Sequence, residues 1–215
     1  MAGTLSSGVT VLGSFRGDQG KVADETRVEV DKILGVIGDT AGKSLLGLGC
    51  GDGRHLMHLA PKFDRVVGVD YAGGLLELAE HRIEEAGGKA ELVESDVSEY
   101  RAGETFDVLL LSGIIPCLDD QQMAGMLRNL GAMAAPASHL LVRSSIGTER
   151  RIDVVNQYSA ELRSRYTAYY RTVDEIVEAF EAHGWACTND AKLYQHRPDS
   201  AVWWFEFAGA SASVL

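Results

Sequence analysis

The residues of this chain best placed to hold a ligand are the run Ser44-Leu-Leu-Gly-Leu-Gly-Cys-Gly-Asp-Gly-Arg54 and the later Val66-Val-Gly-Val-Asp70. A short apolar strand enters a glycine-rich turn, a helix follows, and the next strand ends on a carboxylate. In a doubly wound α/β fold this arrangement holds a nucleoside: the turn lets backbone approach the ligand and the acid accepts from ribose hydroxyls. The glycine spacing narrows the choice. A dinucleotide fingerprint needs G-x-G-x-x-G/A, but counting from Gly47 the third position is Asp52, and from Gly49 it is Arg54. What stands here, Gly49-Cys50-Gly51-Asp52-Gly53, is G-x-G-x-G, which points away from hydride chemistry.

These residues need a scaffold, and the hydrophobic pattern supplies one. Strand-like runs fall at 44–48, 65–69, 90–95, 106–111 and 138–143, separated by helix-compatible stretches at 53–60, 73–86 and 120–134. The alternation predicts a parallel sheet with helices on both faces. Ahead of it, residues 21–37 fit an amphipathic helix imperfectly, and residues 1–40 are read as an N-terminal flap and helix. After Arg143 the rhythm breaks. It resumes with a helix over 173–183, with Thr172 as N-cap and Gly184 as its stop. Trp185–Tyr194 and Ala201–Ala208 then read as a hairpin, making the sheet mixed. Trp203 and Trp204 should put one indole on each sheet face.

Composition sets outer bounds. The 215 residues suffice for one large domain with a full core, and 46% hydrophobic content suits a globular chain. A net charge of −11 argues against nucleic acid or an anionic membrane surface as partner. Three scattered cysteines, Cys50, Cys117 and Cys187, suit a reducing compartment, and no zinc-ligand spacing is present. With no signal peptide or spanning segment read, the expectation is a cytoplasmic protein, monomer or homodimer.

Leu45-Leu-Gly-Leu-Gly-Cys-Gly-Asp-Gly53 resembles motif I of the class I S-adenosylmethionine-dependent methyltransferases. The resemblance covers residues 40–145, and the last two strands extend it to nearly the whole chain. It implies a Rossmann-like, doubly wound, seven-stranded sheet, mostly parallel with an antiparallel C-terminal strand, in a single domain spanning 1–215. It also implies S-adenosyl-L-methionine as cofactor. Gly49, Cys50 and Gly51 would lie against its methionine end, and Asp70 would take the ribose with Tyr71 beside it. Asp96 would meet the adenine amino group, with the Val97 N–H adjacent. Ser112 and Gly113 would line the cofactor and place the acceptor. Cys50 is common in that family at this position and is no nucleophile. Gly47 departs from the pattern, which usually has an acid there.

The acceptor must be read from the periphery. Ser112-Gly-Ile-Ile-Pro116 is not the Asn/Asp-Pro-Pro-Tyr/Phe run that resembling enzymes use on planar nitrogens, so base methylation is disfavoured. Residues 143–171 hold Arg143, Arg150, Arg151, Arg163, Arg165 and Arg171 against Glu149, Asp153 and Glu161, a local positive excess in an acidic chain. They also hold Tyr158, Tyr166, Tyr169 and Tyr170. One reading is an amphipathic helix with a solvated basic face. The other is a substrate lid over 144–171 in which Arg143 and Arg171 hold an anion while Tyr166 and Tyr170 wall the pocket. The second reading gives methyl transfer to an O or N atom of a small carboxylated or phosphorylated metabolite, and part of the tract resembles bacterial small-metabolite methyltransferases. No catalytic residue is assigned. His55 and His58 read as helix-surface residues, and Phe15-Arg16 as a cover for the cofactor. A nicotinamide-dependent oxidoreductase and a non-catalytic S-adenosylmethionine-binding protein stay open as alternatives.

Overall fold

The computed structural model describes residues 19–160 and 163–209. Seven strands form one sheet: β1 (Ser44–Leu48), β2 (Arg65–Asp70), β3 (Glu91–Glu94), β4 (Phe106–Ser112), β5 (Ala134–Gly147), β8 (Trp185–Arg197) and β9 (Ser200–Gly209). Their order is β3-β2-β1-β4-β5-β9-β8. β3, β2, β1, β4 and β5 pair in parallel, while β9 runs antiparallel between β5 and β8. This is the Rossmann-like, mostly parallel sheet with an antiparallel C-terminal strand. The chain winds from β1 out to β3 and restarts at β4, so the switch point lies between the carboxyl ends of β1 and β4, where open α/β sheets bind ligands.

Helices cover both faces because the central strands are apolar on both sides. Leu109 and Leu111 of β4 pack beneath α4 (Asp120–Leu130) and α5 (Val173–Glu181), through Met126, Leu130, Ile176 and Phe180. Val108 and Leu110 face the opposite layer, where α1 (Gln19–Ile37), α2 (Leu56–Leu59) and α3 (Gly73–Glu85) contribute Ile33, Ile37, Leu59 and Ile83. Trp204 belongs to this layer and Trp203 to the other, one indole per face.

α4 starts with a capping box of Asp119 and Gln122, and α5 with one of Thr172 and Glu175. Gly184, at φ 83°, follows α5 as its stop. β5 outruns the expected 138–143 because β9 pairs with residues 144–147 along its far edge.

Between β5 and α5, the described residues form no helix. β6 (Ile152–Ser159) and β7 (Ser164–Tyr170) form an antiparallel hairpin of their own. The physical reason lies in its residues: Ile152, Val154, Val155, Tyr158, Tyr166, Thr167, Tyr169 and Tyr170 are β-branched or aromatic and favour a pleated surface. The Phe15-Arg16 cover lies outside the described residues. No helix among the described residues is long and apolar enough to cross a membrane.

Candidate active site

The glycine turn is held by β2. The N–H groups of Gly49 and Cys50 donate to the Val69 carbonyl at 2.8 and 3.0 Å, and the Gly51 N–H donates to Asp70 Oδ2 at 2.9 Å. The other Asp70 oxygen accepts from the Ala72 N–H at 3.0 Å. Asp70, which the Tyr71 N–H also reaches, is therefore the clasp of the turn, and it keeps capacity for a further donor, since a carboxylate offers about four lone pairs. Burial pushes its pKa up against the pull of those N–H groups.

Glycine is required where the turn is tightest. Gly49 sits at φ 69°, and a Cβ there would lie 2.7 Å from the Ile114 side chain. Gly53, at φ 73°, leaves room for Ala79 of α3, whose Cα would be 2.9 Å from an added Cβ. The Cys50 thiol is pushed far up in pKa by burial and by Asp70 beside it, so it is inert as a nucleophile.

Two further positions follow successive strands. Asp96, exposed after β3, gives Oδ1 to the Ser98 N–H and hydroxyl at 2.8 and 2.7 Å. Val97 beside it turns its side chain into the core. After β4, the Gly113 N–H donates to the Arg143 carbonyl at 2.8 Å, which ties the β4 exit to β5. Gly49–Gly51, Asp70, Asp96 and Ser112–Gly113 thus occupy the carboxyl ends of four strands. Tyr71 is 46% exposed at the rim.

A buried polar cluster behind the glycine turn was not legible beforehand. Glu29 of α1 accepts from Arg54 at 2.9 Å and from His55 Nε2 at 2.6 Å through Oε2. Through Oε1 it accepts from Arg143 Nε at 2.9 Å and the Tyr194 hydroxyl at 2.6 Å. Arg143 also donates to Tyr194 at 2.7 Å. Burial favours a protonated Glu29, but Arg143, His55 and Arg54 outweigh it and hold the carboxyl well below the usual range.

His55 is therefore buried rather than on a helix surface. Burial, with the nearby Arg54 and Arg143 charges, lowers its pKa against the pull of Glu29. A carboxylate only accepts, so Nε2 carries the proton. Ser112 Oγ lies 3.5 Å from the same nitrogen, at the outer limit of a hydrogen bond. One signal for Glu29 was present: it falls on the buried stripe Thr26, Val30, Ile33 and Ile37 of α1.

The proposed anion-holding arginines have partners within the chain. Arg143 is buried in the cluster just described. Arg171, 3% exposed, donates to Asp120 Oδ1 at 2.6 Å and to the Ile115 and Leu118 carbonyls at 3.2 and 2.9 Å. It fastens the end of β7 to the loop that leaves β4. Tyr166 and Tyr170 share a face of β7 with buried Ala168. Burial and the neighbouring Tyr166 hydroxyl raise the Tyr170 pKa, with Cys117 of the β4 loop also acting on it. The two tyrosines thus come together beside the β4 exit.

Residues 45–137 match the family model described as a methyltransferase domain. No curated protein sequence matches the chain at a significant level. Among solved structures, the chain is similar to an S-adenosylmethionine-dependent methyltransferase from Clostridium acetobutylicum, with a TM-score of 0.66 at 13% identity over 94% of this chain and 97% of that one. The N-methyltransferase NodS from Bradyrhizobium japonicum gives 0.65 at 16% identity, over 86% and 97%. The glycopeptide N-methyltransferase MtfA, complexed with S-adenosylmethionine, gives 0.62 at 15%, over 83% and 92%. At these identities the structures speak for the fold, and the family model speaks for the domain. Glycine turn, strand order and domain match agree: residues 45–137 carry a methyltransferase domain, within a chain that has the fold of S-adenosylmethionine-dependent methyltransferases.

Proposed function

We propose that the protein transfers the methyl group of S-adenosylmethionine to a nitrogen or oxygen atom of a small, anionic acceptor. The observation that carries this reading is the placement of the glycine turn, Asp70, Asp96 and Ser112–Gly113 at the carboxyl ends of the four adjacent strands that include the switch point of the sheet. The cofactor supplies a methyl group already activated by its sulfonium. Gly49, Cys50 and Gly51 would hold its amino-acid end, and Asp70 its ribose, with Tyr71 at the rim. Asp96 has an oxygen to spare for the adenine amino group, next to the Val97 N–H. The residues fit the group because Gly49, Gly51 and Gly53 present backbone rather than side chains and Asp70 keeps capacity for a further donor.

The acceptor would enter between the β4 exit and the β6–β7 hairpin, against Tyr166 and Tyr170. Positioning and water exclusion are then the protein's main contributions. Arg143 and Arg171 would shape this pocket from behind rather than grip an anion. Support for an anionic acceptor comes from Arg150, Arg163 and Arg165, which have no carboxylate partner among the described residues and give this side a positive field. Two of the similar structures are named as N-methyltransferases, which favours nitrogen.

The test is calorimetric binding of S-adenosylhomocysteine, followed by a metabolite screen for its release weighted toward carboxylated and phosphorylated compounds. Turnover on such a compound is expected. Binding of NADH in place of S-adenosylhomocysteine would overturn the cofactor assignment, and turnover confined to cationic or neutral acceptors would overturn the anionic one.

A further inference from the structure

We propose that Glu29 is a positioning residue for the cofactor turn, setting its exit from the N-terminal helix through Arg54 and His55. The proposal rests on the reading of residues 49–53 as the cofactor turn. The turn is fastened at its entry by the Val69 carbonyl and Asp70, and at its middle by Asp52, which pairs with Arg82 of α3. Its exit is α2, a helix of only four residues whose N-cap, His55, makes no side-chain capping bond. Leu56 and Leu59 anchor its buried face, and a 3-10 turn over Ala60–Lys62 follows it. So short a helix still does not fix the direction of its first residues, because helix nucleation is unfavourable and one turn gives little back. Gly47, at the base of the turn, has no side chain to contribute. The exit is instead held from α1: Glu29 Oε2 takes both Arg54 and His55, the first two residues beyond Gly53.

The division of labour between the two Glu29 oxygens makes the proposal specific. Oε2 faces the turn, through Arg54 and His55, whereas Oε1 faces the sheet, through Arg143 of β5 and Tyr194 of β8. Four donors saturate the carboxylate, so its position is fixed from both sides. A buried ion pair is a poor device for stability alone, since an apolar side chain would fill the same stripe at lower desolvation cost. What it provides is direction. His55 is held neutral with its proton on Nε2, and Ser112 of the β4 exit lies beside that nitrogen. Glu29 thereby aligns the turn with the loop that faces the acceptor.

The experiment uses the full chain, with S-adenosylhomocysteine as probe, and reads dissociation constant and melting temperature for Glu29→Gln, Arg54→Met and Tyr194→Phe. Glu29→Gln and Arg54→Met release the turn side, while Tyr194→Phe releases only the sheet side. All three should melt earlier. The first two should bind about tenfold or more weakly, the size of effect typical of residues that orient a binding group. Tyr194→Phe leaves Arg143 on Oε1 and both Oε2 donors in place, and should bind within about twofold of the unaltered chain.

Unchanged affinity in Glu29→Gln would overturn the proposal. So would affinities that merely follow melting temperature, with Tyr194→Phe weakened as much as Arg54→Met. Should Glu29→Gln not fold, the Arg54→Met and Tyr194→Phe pair decides alone. An unaltered chain that binds no S-adenosylhomocysteine would overturn the cofactor reading itself, and this proposal with it.

Discussion

The two sides of the site are built by different physics. On the proposed cofactor side, from β1 to β3, bonds from backbone N–H groups hold the entry of the turn. Val69 and Asp70 collect them from a turn only a strand away, and ion pairs enter only at its middle and exit. On the proposed acceptor side, from β4 to the β6–β7 hairpin, guanidinium groups do most of the holding. Arg143 spans from β5 to α1, and Arg171 from β7 to the β4 loop. A turn held through its backbone tolerates little change in glycine. A site held by ion pairs depends on a few charged residues far apart in the chain, each a weak point and each a place where the acceptor pocket can be reshaped.

The comparison breaks most severely at Gly49. Gly49→Ala meets both a positive φ and Ile114 at 2.7 Å. We expect a loss of about 100-fold or more in S-adenosylhomocysteine affinity, from left-handed strain of about 1–2 kcal/mol plus the overlap. Native affinity in that variant would show that the turn is not shaped for close approach. Asp70→Ala comes next. It strands the Gly51 and Ala72 N–H groups, for about 1–3 kcal/mol of stability, and removes the proposed ribose acceptor. Asp96→Asn sharpens the contrast, because the amide oxygen can still accept from Ser98. Affinity should fall about tenfold, one charge-assisted hydrogen bond's worth, with melting temperature unchanged.

Legibility in the sequence follows the same division. β1, β2 and β4 could be read because apolar runs bounded by glycine or a carboxylate are local signals, and so could the positions of Asp70, which ends a strand, and Asp96, two residues past one. Thr172 and Gly184 bounded α5 for the same reason. The hairpin was harder. Its tyrosines and arginines fit a helix surface as well as a pleat, and what selects the pleat is pairing such as Ile152 with Tyr170. The partners of Glu29 were out of reach: Tyr194 meets it across 165 positions and Arg143 across 114. No periodicity carries such a pairing, and His55 in isolation reads as a surface residue.

On the acceptor side, Arg171→Lys should cost about 1–3 kcal/mol, because a lysine cannot serve Asp120 and two carbonyls with one planar fork. The loss should appear in the melting temperature and in the KM for the acceptor, while S-adenosylhomocysteine affinity holds. Equal losses in both ligands would mean that the two halves are not separable in the way their construction suggests.

The smallest effect is the most diagnostic, and it comes from His55, where the two halves meet. Its pKa in the folded chain lies below the ordinary value of 6.5. On acidification the unfolded chain therefore takes up this proton first, so the stability owed to neutral His55 is complete above about pH 6.5 and declines below it, by at most about 1.4 kcal/mol per pH unit. Glu29 does not interfere in this window, because its pKa is depressed and its contribution starts to fall only as the pH approaches the ordinary value of 4.5 from above. Asp70 has the opposite sign: its raised pKa makes the folded chain the better proton acceptor near the ordinary carboxylate range. His55→Gln keeps an N–H for Glu29 but cannot titrate. Between about pH 6.5 and 5, its melting temperature should fall less steeply than that of the unaltered chain. The other five histidines are common to both chains and cancel in the difference. Parallel slopes would place His55 in contact with water, and would dissolve the buried junction through which α1, the glycine turn and β5 hold one another.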